Sequence, residues 1–158
     1  MIVEYARHNK NVTPPTRSNP SDAGLDVHAY LKVDGDELLS NKIEIKPGHN
    51  AIIPTGLRFG IPHGYMLQVC NRSSMGAKKS LVVGAHIIDS GYDGEVFIDL
   101  HNIGNEPQVI SSGDKIAQVV MVPVVSFKAM ENLSGDLYGY YPITLSGRGS
   151  GALGSTGR

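Results

Sequence analysis

The chain has 158 residues, 41% of them hydrophobic and 18% charged, a length and balance that suit one domain with a substantial core. Fourteen basic residues against fifteen acidic ones leave a net charge of -1, which excludes a broad basic face for nucleic acid, so any anion must be held by a few placed side chains. A single cysteine, Cys70, excludes an internal disulfide and a paired-thiolate zinc site. No apolar run reaches the roughly 18 residues of a membrane span, and the opening "MIVEYARHNK" lacks the apolar core of a secretory leader, so a cytoplasmic, reducing compartment and no membrane partner are expected.

Nineteen glycines and nine prolines cut the chain into short segments, the spacing of an all-β protein. Enrichment in Val, Ile, Tyr and Phe predicts strands over Ile2–Ala6, Leu25–Leu31, Lys42–Ile45, Ala51–Pro54, Leu57–Ile61 and Tyr65–Cys70. The one short helix is predicted over Ser74–Lys79, after "NRSS". Further strands are predicted over Leu81–Val83, Glu95–His101, Gln108–Ile110, Ile116–Pro123 and Ser126–Met130. In "EVFIDLHN", Val96, Ile98 and Leu100 share one face while Phe97, Asp99 and His101 share the other, the pattern of a half-buried strand. So many strands predict a jelly-roll-like barrel or sandwich of two sheets.

One domain is expected over residues 1–145, with "SGRGSGALGSTGR" at 146–158 as its flexible tail. Glycine loses the most backbone entropy on ordering, so this run forms no helix or strand by itself. It reads either as a disordered end or as a loop that orders around a ligand, its amides cradling phosphate.

Five stretches set glycine beside charged or hydroxyl residues at strand ends: "DAGLDVHA" (22–29), "NRSSMG" (71–76), "AHIIDSGYDGEV" (85–96), "GDKIAQ" (113–118) and the tail. Taken singly, each has an ordinary structural reading. Asp26 and Asp89 beside turns suit caps or Asx-turns as well as catalysis, and Asp114 is a turn residue. His8, His28, His49, His63, His86 and His101 show no HxxxH or HxH ligand spacing. Arg72 ahead of Ser73 and Ser74 opens the helix, where a guanidinium, hydroxyls and free amides make a physically sensible phosphate site. Gln118, inside "IAQVVMV", needs a hydrogen-bond partner if it faces inward, and a ligand could supply one.

In order and in chemistry, the five stretches together resemble the five motifs of the trimeric dUTP diphosphatases (dUTPases), from about Asp22 to the end of the chain. "AGLDVHA" is similar to AGxDLxA, "NRSSMG" to PRSG(L/M)A, "IIDSGYDGEV" to (V/I)IDxxYxGEI, "GDKIAQVV" to GDRIAQLV, and "RGSGALGSTG" to RGxGGFGSTG. The intervening "IIPTGLRFGIPHGYMLQV" resembles the family's approach to its second motif.

The resemblance implies a β jelly roll, a homotrimer with active sites shared between subunits, and hydrolysis of dUTP to dUMP and pyrophosphate with Mg2+. It implies Asp89 as the carboxylate that orients and deprotonates the attacking water, with Asp26 one step away, holding waters around magnesium and positioning Asp89. It implies phosphate contacts from Arg72, Ser73, Ser74 and Gly76, with Ser73 near the bridging oxygen of the leaving group, and from Gln118. Tyr92 would lie flat against the deoxyribose, leaving no room for a 2'-hydroxyl, although by spacing alone it serves equally in core packing. The tail would close over the substrate through Arg148 on the terminal phosphate, with Gly151, Leu153, Gly154, Ser155 and Thr156. No direct protein ligand to the metal is implied, because magnesium, a hard ion that keeps several waters, would be carried by substrate phosphates. A carboxylate that follows Ile87 and Ile88 in an apolar turn would gain basicity by desolvation.

The chain departs from the family pattern in three places. Leu153 stands where a phenylalanine usually covers the uracil, which forfeits a stacking contribution on the order of 1 kcal/mol. The stretch "ENLSGDLYGYYPITLSG" is longer than usual, and Tyr138, Tyr140 and Tyr141 in it suit interface contacts or a compensating ring. Val83 and His86 replace an asparagine and a glycine, so "AHIIDSGYDG" resembles the related dCTP deaminases, and Asp99 holds the strand position of their catalytic glutamate. Asp99 could also simply face solvent. The alternatives are therefore a dCTP deaminase or bifunctional enzyme, and a family member whose main task is binding another protein. A zinc-type nucleotide deaminase is excluded, because its CxxC pair needs more than one cysteine. A virus- or phage-encoded member would work in the host cytoplasm.

Overall fold

The computed structural model describes residues 1–31 and 41–137. Tyr138, Tyr140, Tyr141 and the tail, with Arg148, Gly151, Leu153, Gly154, Ser155 and Thr156, lie outside the described residues. The described elements are β1 (Glu4–Arg7), β2 (Leu25–His28), β3 (Lys42–Ile45), β4 (Asn50–Pro54), β5 (Leu57–Gly60), β6 (Tyr65–Cys70), α1 (Ser73–Lys79), β7 (Leu81–Val83), β8 (Ile87–Ile88), β9 (Phe97–Asn102), β10 (Gln108–Ser111) and β11 (Lys115–Pro123). Among the described residues this is the expected all-β, jelly-roll-like fold with one short helix. Among the described residues no helix is long and apolar enough to cross a membrane.

The strands form antiparallel sheets in the orders β1–β5, β10–β3, β2–β11–β6–β8 and β4–β9–β7. Alternation along β9 places the sheet as expected: Ile98, Leu100 and Asn102 are buried, and Phe97, Asp99 and His101 point outward. The core gathers Val27, Ile53, Leu57, Leu81, Ile98, Leu100, Ile110 and Ile116, all fully buried, each contributing roughly 1.5–3 kcal/mol of transfer free energy. Asn102, like Thr55 and His28, is a buried polar residue. Its amide donates to the carbonyls of Ile45 and Glu106, each at 2.8 Å, and its oxygen accepts the Gly104 amide at 2.9 Å.

The longest strand, β11, lies between β2 and β6, so Gln118 stands opposite Asp26 on one side and Cys70 on the other. That register carries Asp26, Gln118 and the start of α1 to one end of the four-stranded sheet.

One strand of the structure has no counterpart among the expected elements, and one expected strand is absent from it. β8 is a strand of two residues, too short to show any period in the sequence. Ser126–Met130 forms no strand, and Phe127 and Met130 are almost fully exposed: apolar residues alone supply no ladder partner. Met1–Ser126 is one compact unit, and the chain from Phe127 onward belongs to a second. In the second unit Asn132 closes a turn, its carbonyl accepting the Gly135 amide at 3.1 Å and its side-chain oxygen the Ser134 hydroxyl at 2.7 Å.

Candidate active site

Two groups of candidate residues emerge, at different places on the four-stranded sheet. The first centres on Asp26 in β2. Arg72 Nε donates to Asp26 Oδ1 and Lys115 Nζ to Oδ2, both at 2.8 Å, so each oxygen faces its own cation. Burial disfavours the charged carboxylate, yet the hydrogen bonds and charges of Lys115 and Arg72 outweigh it and hold the Asp26 carboxyl below its ordinary range. Arg72 is pinned further, Nη1 donating to Ser74 Oγ at 3.3 Å and to the Lys115 carbonyl at 3.4 Å.

Arg72 is positioned by secondary structure as well. It caps α1 in an extended conformation, and its carbonyl accepts the amides of Met75 and Gly76 at 3.0 and 3.1 Å. Ser73 and Ser74 form the first turn beside it, and a side chain placed on Gly76 would meet nothing within 4 Å, so the chain leaves space there. Gln118 finds its partner within the chain, Nε2 donating to the Asn71 carbonyl at 3.0 Å. The glycine of "AGLD" serves this packing, because a Cβ on Gly24 would stand 2.8 Å from Gln118 Oε1.

Lys115 is a site residue with no local signal of its own in the sequence, although it lies in "GDKIAQ" between Asp114 and Gln118. Its ammonium also reaches Ser18 Oγ at 3.4 Å. His28 faces Lys115 across the ladder and is buried. Burial first, then the Lys115 charge, push its imidazole below the ordinary range, against a smaller opposing pull from Asp26. His28 Nδ1 has no hydrogen-bond partner among the described residues.

The second group lies beyond β8. Ile87, Ile88, Asp89, Tyr92, Glu95, Val96 and Phe97 line a concavity of about 240 Å³. Asp89 is exposed, so the desolvation expected from its isoleucine neighbours is not supplied by its own chain; Ile87 itself is 63% exposed. Tyr92 is not packed in the core. Its ring is 47% exposed, yet it is fixed, the hydroxyl donating to the Glu95 carbonyl at 2.9 Å. The ring lies so close over Gly94 that a Cβ there would overlap it.

One chain does not bring the two groups together. Ile88 faces Leu67 in the antiparallel ladder, so Asp89 continues toward the start of β6, whereas Arg72 follows the other end of that strand, after Cys70.

The residues that suggested deaminase chemistry are engaged within the chain. His86 Nδ1 lies 2.9 Å from the Val69 carbonyl. Asp99 does not simply face solvent: Asn50 Nδ2 donates to Oδ1 at 2.8 Å, and His101 Nε2 lies 2.9 Å from Oδ2. The Asn50 hydrogen bond, aided by His101 and opposed by burial, holds the Asp99 carboxyl below its ordinary range.

Chemically, the first group offers a fixed guanidinium and ammonium with hydroxyls to a polyanion, and the second offers an exposed carboxylate beside a rigid aromatic ring. Comparison with known proteins gives the family: the dUTPase family model matches residues 10–138, and the chain belongs to the dUTPase family. It is 35% identical to the deoxyuridine 5'-triphosphate nucleotidohydrolase of Desulfitobacterium hafniense over 98% of this chain and 94% of that one. It is 38% identical to the enzyme of the same name from Aquifex aeolicus over 77% of each chain. Its fold is similar to that of a Staphylococcus bacteriophage 80alpha dUTPase mutant with dUpNHpp, with a TM-score of 0.81 at 23% identity and 99% of both chains covered. It is also similar to a dUTPase mutant from phage phi11 of S. aureus that coordinates a structural Mg(II) ion, with a TM-score of 0.72 at 23% identity over 84% of this chain and 97% of that one.

Proposed function

We propose that this chain hydrolyses dUTP to dUMP and pyrophosphate, working as a homotrimer whose sites are each built from more than one subunit. The observation that carries the reading is the separation of Asp89 from Arg72 within a chain that has the whole family pattern. Asp89 leaves the sheet beyond β8 while Arg72 caps α1 after β6, and sharing of sites between subunits is the arrangement that would bring a water-activating carboxylate to the phosphates.

In this reading Arg72, with Ser73, Ser74 and the open space at Gly76, holds the phosphate chain, and Gln118 braces the loop at Asn71 from which Arg72 projects. Tyr92 presents its fixed ring to the deoxyribose. Asp89 accepts a proton from water as the water oxygen attacks phosphorus, and the α–β phosphoanhydride bond breaks with its bridging oxygen leaving on pyrophosphate. Burial by the neighbouring subunit supplies the desolvation that Asp89 lacks alone. Arg148, Gly151, Leu153, Gly154, Ser155 and Thr156 close over the substrate.

Among the described residues no three His, Cys, Asp or Glu side chains gather to hold a metal, and Asp26, with both oxygens already facing cations, retains acceptor capacity suited to metal-bound water. These donors fit a magnesium ion carried by substrate phosphates, with Asp26 accepting from its waters. Magnesium supplies charge neutralisation on the phosphates when bound.

The test incubates purified protein with magnesium and either dUTP or dCTP, measuring pyrophosphate and ammonia separately. Pyrophosphate from dUTP without ammonia is expected. Ammonia from dCTP overturns the reading in favour of a deaminase.

A further inference from the structure

The pairing of β6 with β8 is short, Leu67 with Ile88 and Gln68 with Ile87, yet the chain stays zipped beyond it. Next along, Val69 and His86 exchange two contacts, the Val69 amide donating to the His86 carbonyl at 2.7 Å and His86 Nδ1 lying 2.9 Å from the Val69 carbonyl. Just past the end of β6 the partner becomes a side chain. Asn71 Oδ1 accepts the Val83 amide at 2.7 Å, across twelve positions of sequence. Arg72, α1 and most of β7 lie between these two residues, so the contact closes the base of the excursion on which Arg72, Ser73 and Ser74 stand.

Val83 has an amide to offer because of where β7 lies. In the order β4–β9–β7 it is the end strand, and amides along a strand point alternately to its two sides. The Gly84 amide goes to the Asp99 carbonyl in β9 at 2.9 Å, so the Val83 amide points the other way, toward Asn71. In PRSG(L/M)A the corresponding residue is proline, whose ring accepts no hydrogen bond, so the contact is not one that the motif requires.

Asn71 is held from a second direction. Its carbonyl accepts Gln118 Nε2 at 3.0 Å, and that carbonyl shares one planar peptide unit with the Arg72 amide. The peptide is thus tied to β11 while the side chain beside it is tied to β7, which leaves Arg72 little freedom to turn away from Asp26, the partner of its Nε at 2.8 Å.

We propose that Asn71 is a positioning residue for phosphate binding: its side chain latches the loop before α1 to β7 and so aims Arg72. The inference rests on the proposed reading of Arg72 as a phosphate ligand and adds a residue that acts through it.

Asn71→Ala and Asn71→Asp test it in the full chain. Nitrogen–proton NMR spectra of the ligand-free protein follow the Val83 amide and the Arg72 Nε–H. In Asn71→Ala both are expected to exchange with solvent about fivefold faster, and Asn71→Asp, which keeps the accepting oxygen, should restore both. By calorimetry the alanine variant should bind inorganic triphosphate about fivefold more weakly, and its KM for dUTP should rise by about the same factor with kcat little changed. A faster Val83 amide with Arg72 Nε–H, triphosphate affinity and KM all at their natural values would reduce Asn71 to the cap of an edge strand and overturn the proposal. A Val83 amide indifferent to the substitution would overturn it too. A natural chain that leaves dUTP intact removes the proposed hydrolysis instead, while the Arg72 Nε–H signal, which needs no nucleotide, still decides the role of Asn71.

Discussion

Lys115 places its ammonium 2.8 Å from Asp26 Oδ2, the oxygen that Arg72 leaves free. Asp26 is therefore a joint that fixes two cations at once, and Lys115→Met should let both Asp26 and the Arg72 fork drift. Steady-state hydrolysis of dUTP is expected to fall about tenfold in kcat/KM, the size of one charge-assisted hydrogen bond, and Lys115→Arg should recover most of it. Equal losses in the Met and Arg variants would show that the joint plays no part.

Stability should depend on pH through two neighbours of this joint. Burial and Lys115 keep folded His28 neutral below its ordinary value of 6.5, where the unfolded chain takes up a proton. The unfolded state then binds more protons, so stability falls as pH drops below 6.5 until the folded histidine also titrates. His28→Leu should flatten that slope and relieve an unpartnered buried nitrogen, as thermal midpoints measured between about pH 4.5 and 7.5 would reveal. Asp26 acts lower. Its depressed folded value gives stability that is complete above the ordinary 3.8 and is lost as pH falls through the folded value.

Asp89→Asn keeps the shape of the turn, whose carbonyl accepts the Tyr92 amide at 3.3 Å, and removes the proposed base. We expect kcat for dUTP to fall about a thousandfold, in the range typical of general-base loss, with nucleotide binding retained by calorimetry. Full turnover in this variant would remove Asp89 from the mechanism.

Asn102→Ala would strand the carbonyls of Ile45 and Glu106 and the amide of Gly104 inside the core. Unpaired buried groups of this kind cost about 3 kcal/mol together, or a drop of about 10 °C in the melting temperature for a chain of this size. Scanning calorimetry of the variant measures it, and a shift of less than about 2 °C would mean that water reaches the site.

Much of the fold was legible because short-range periodicity decides it. β3, β6 and β7 match their expected bounds, and the alternation of β9 correctly separates Ile98 and Leu100 from Asp99 and His101. What stayed hidden depends on distant partners. Lys115 acquires its role from Asp26, 89 positions earlier, through a register that no local pattern encodes. Asp89 was expected to be desolvated because two isoleucines precede it, but adjacency along an extended chain sends successive side chains to opposite faces, and Ile87 points into solvent. The same limit applies to Ser126–Met130, whose apolar residues looked like a strand and have no partner to pair with in the described structure.

If each site draws Asp89 and Arg72 from different subunits, as proposed, two damaged molecules can mend one another. A chain carrying Asp89→Asn still offers a sound Arg72, and a chain carrying Arg72→Ala still offers a sound Asp89. When equal amounts are unfolded and reassembled together, about a quarter of the shared sites should draw both good residues, so activity returns from two inactive parents. A site contained in one chain could never recover this way.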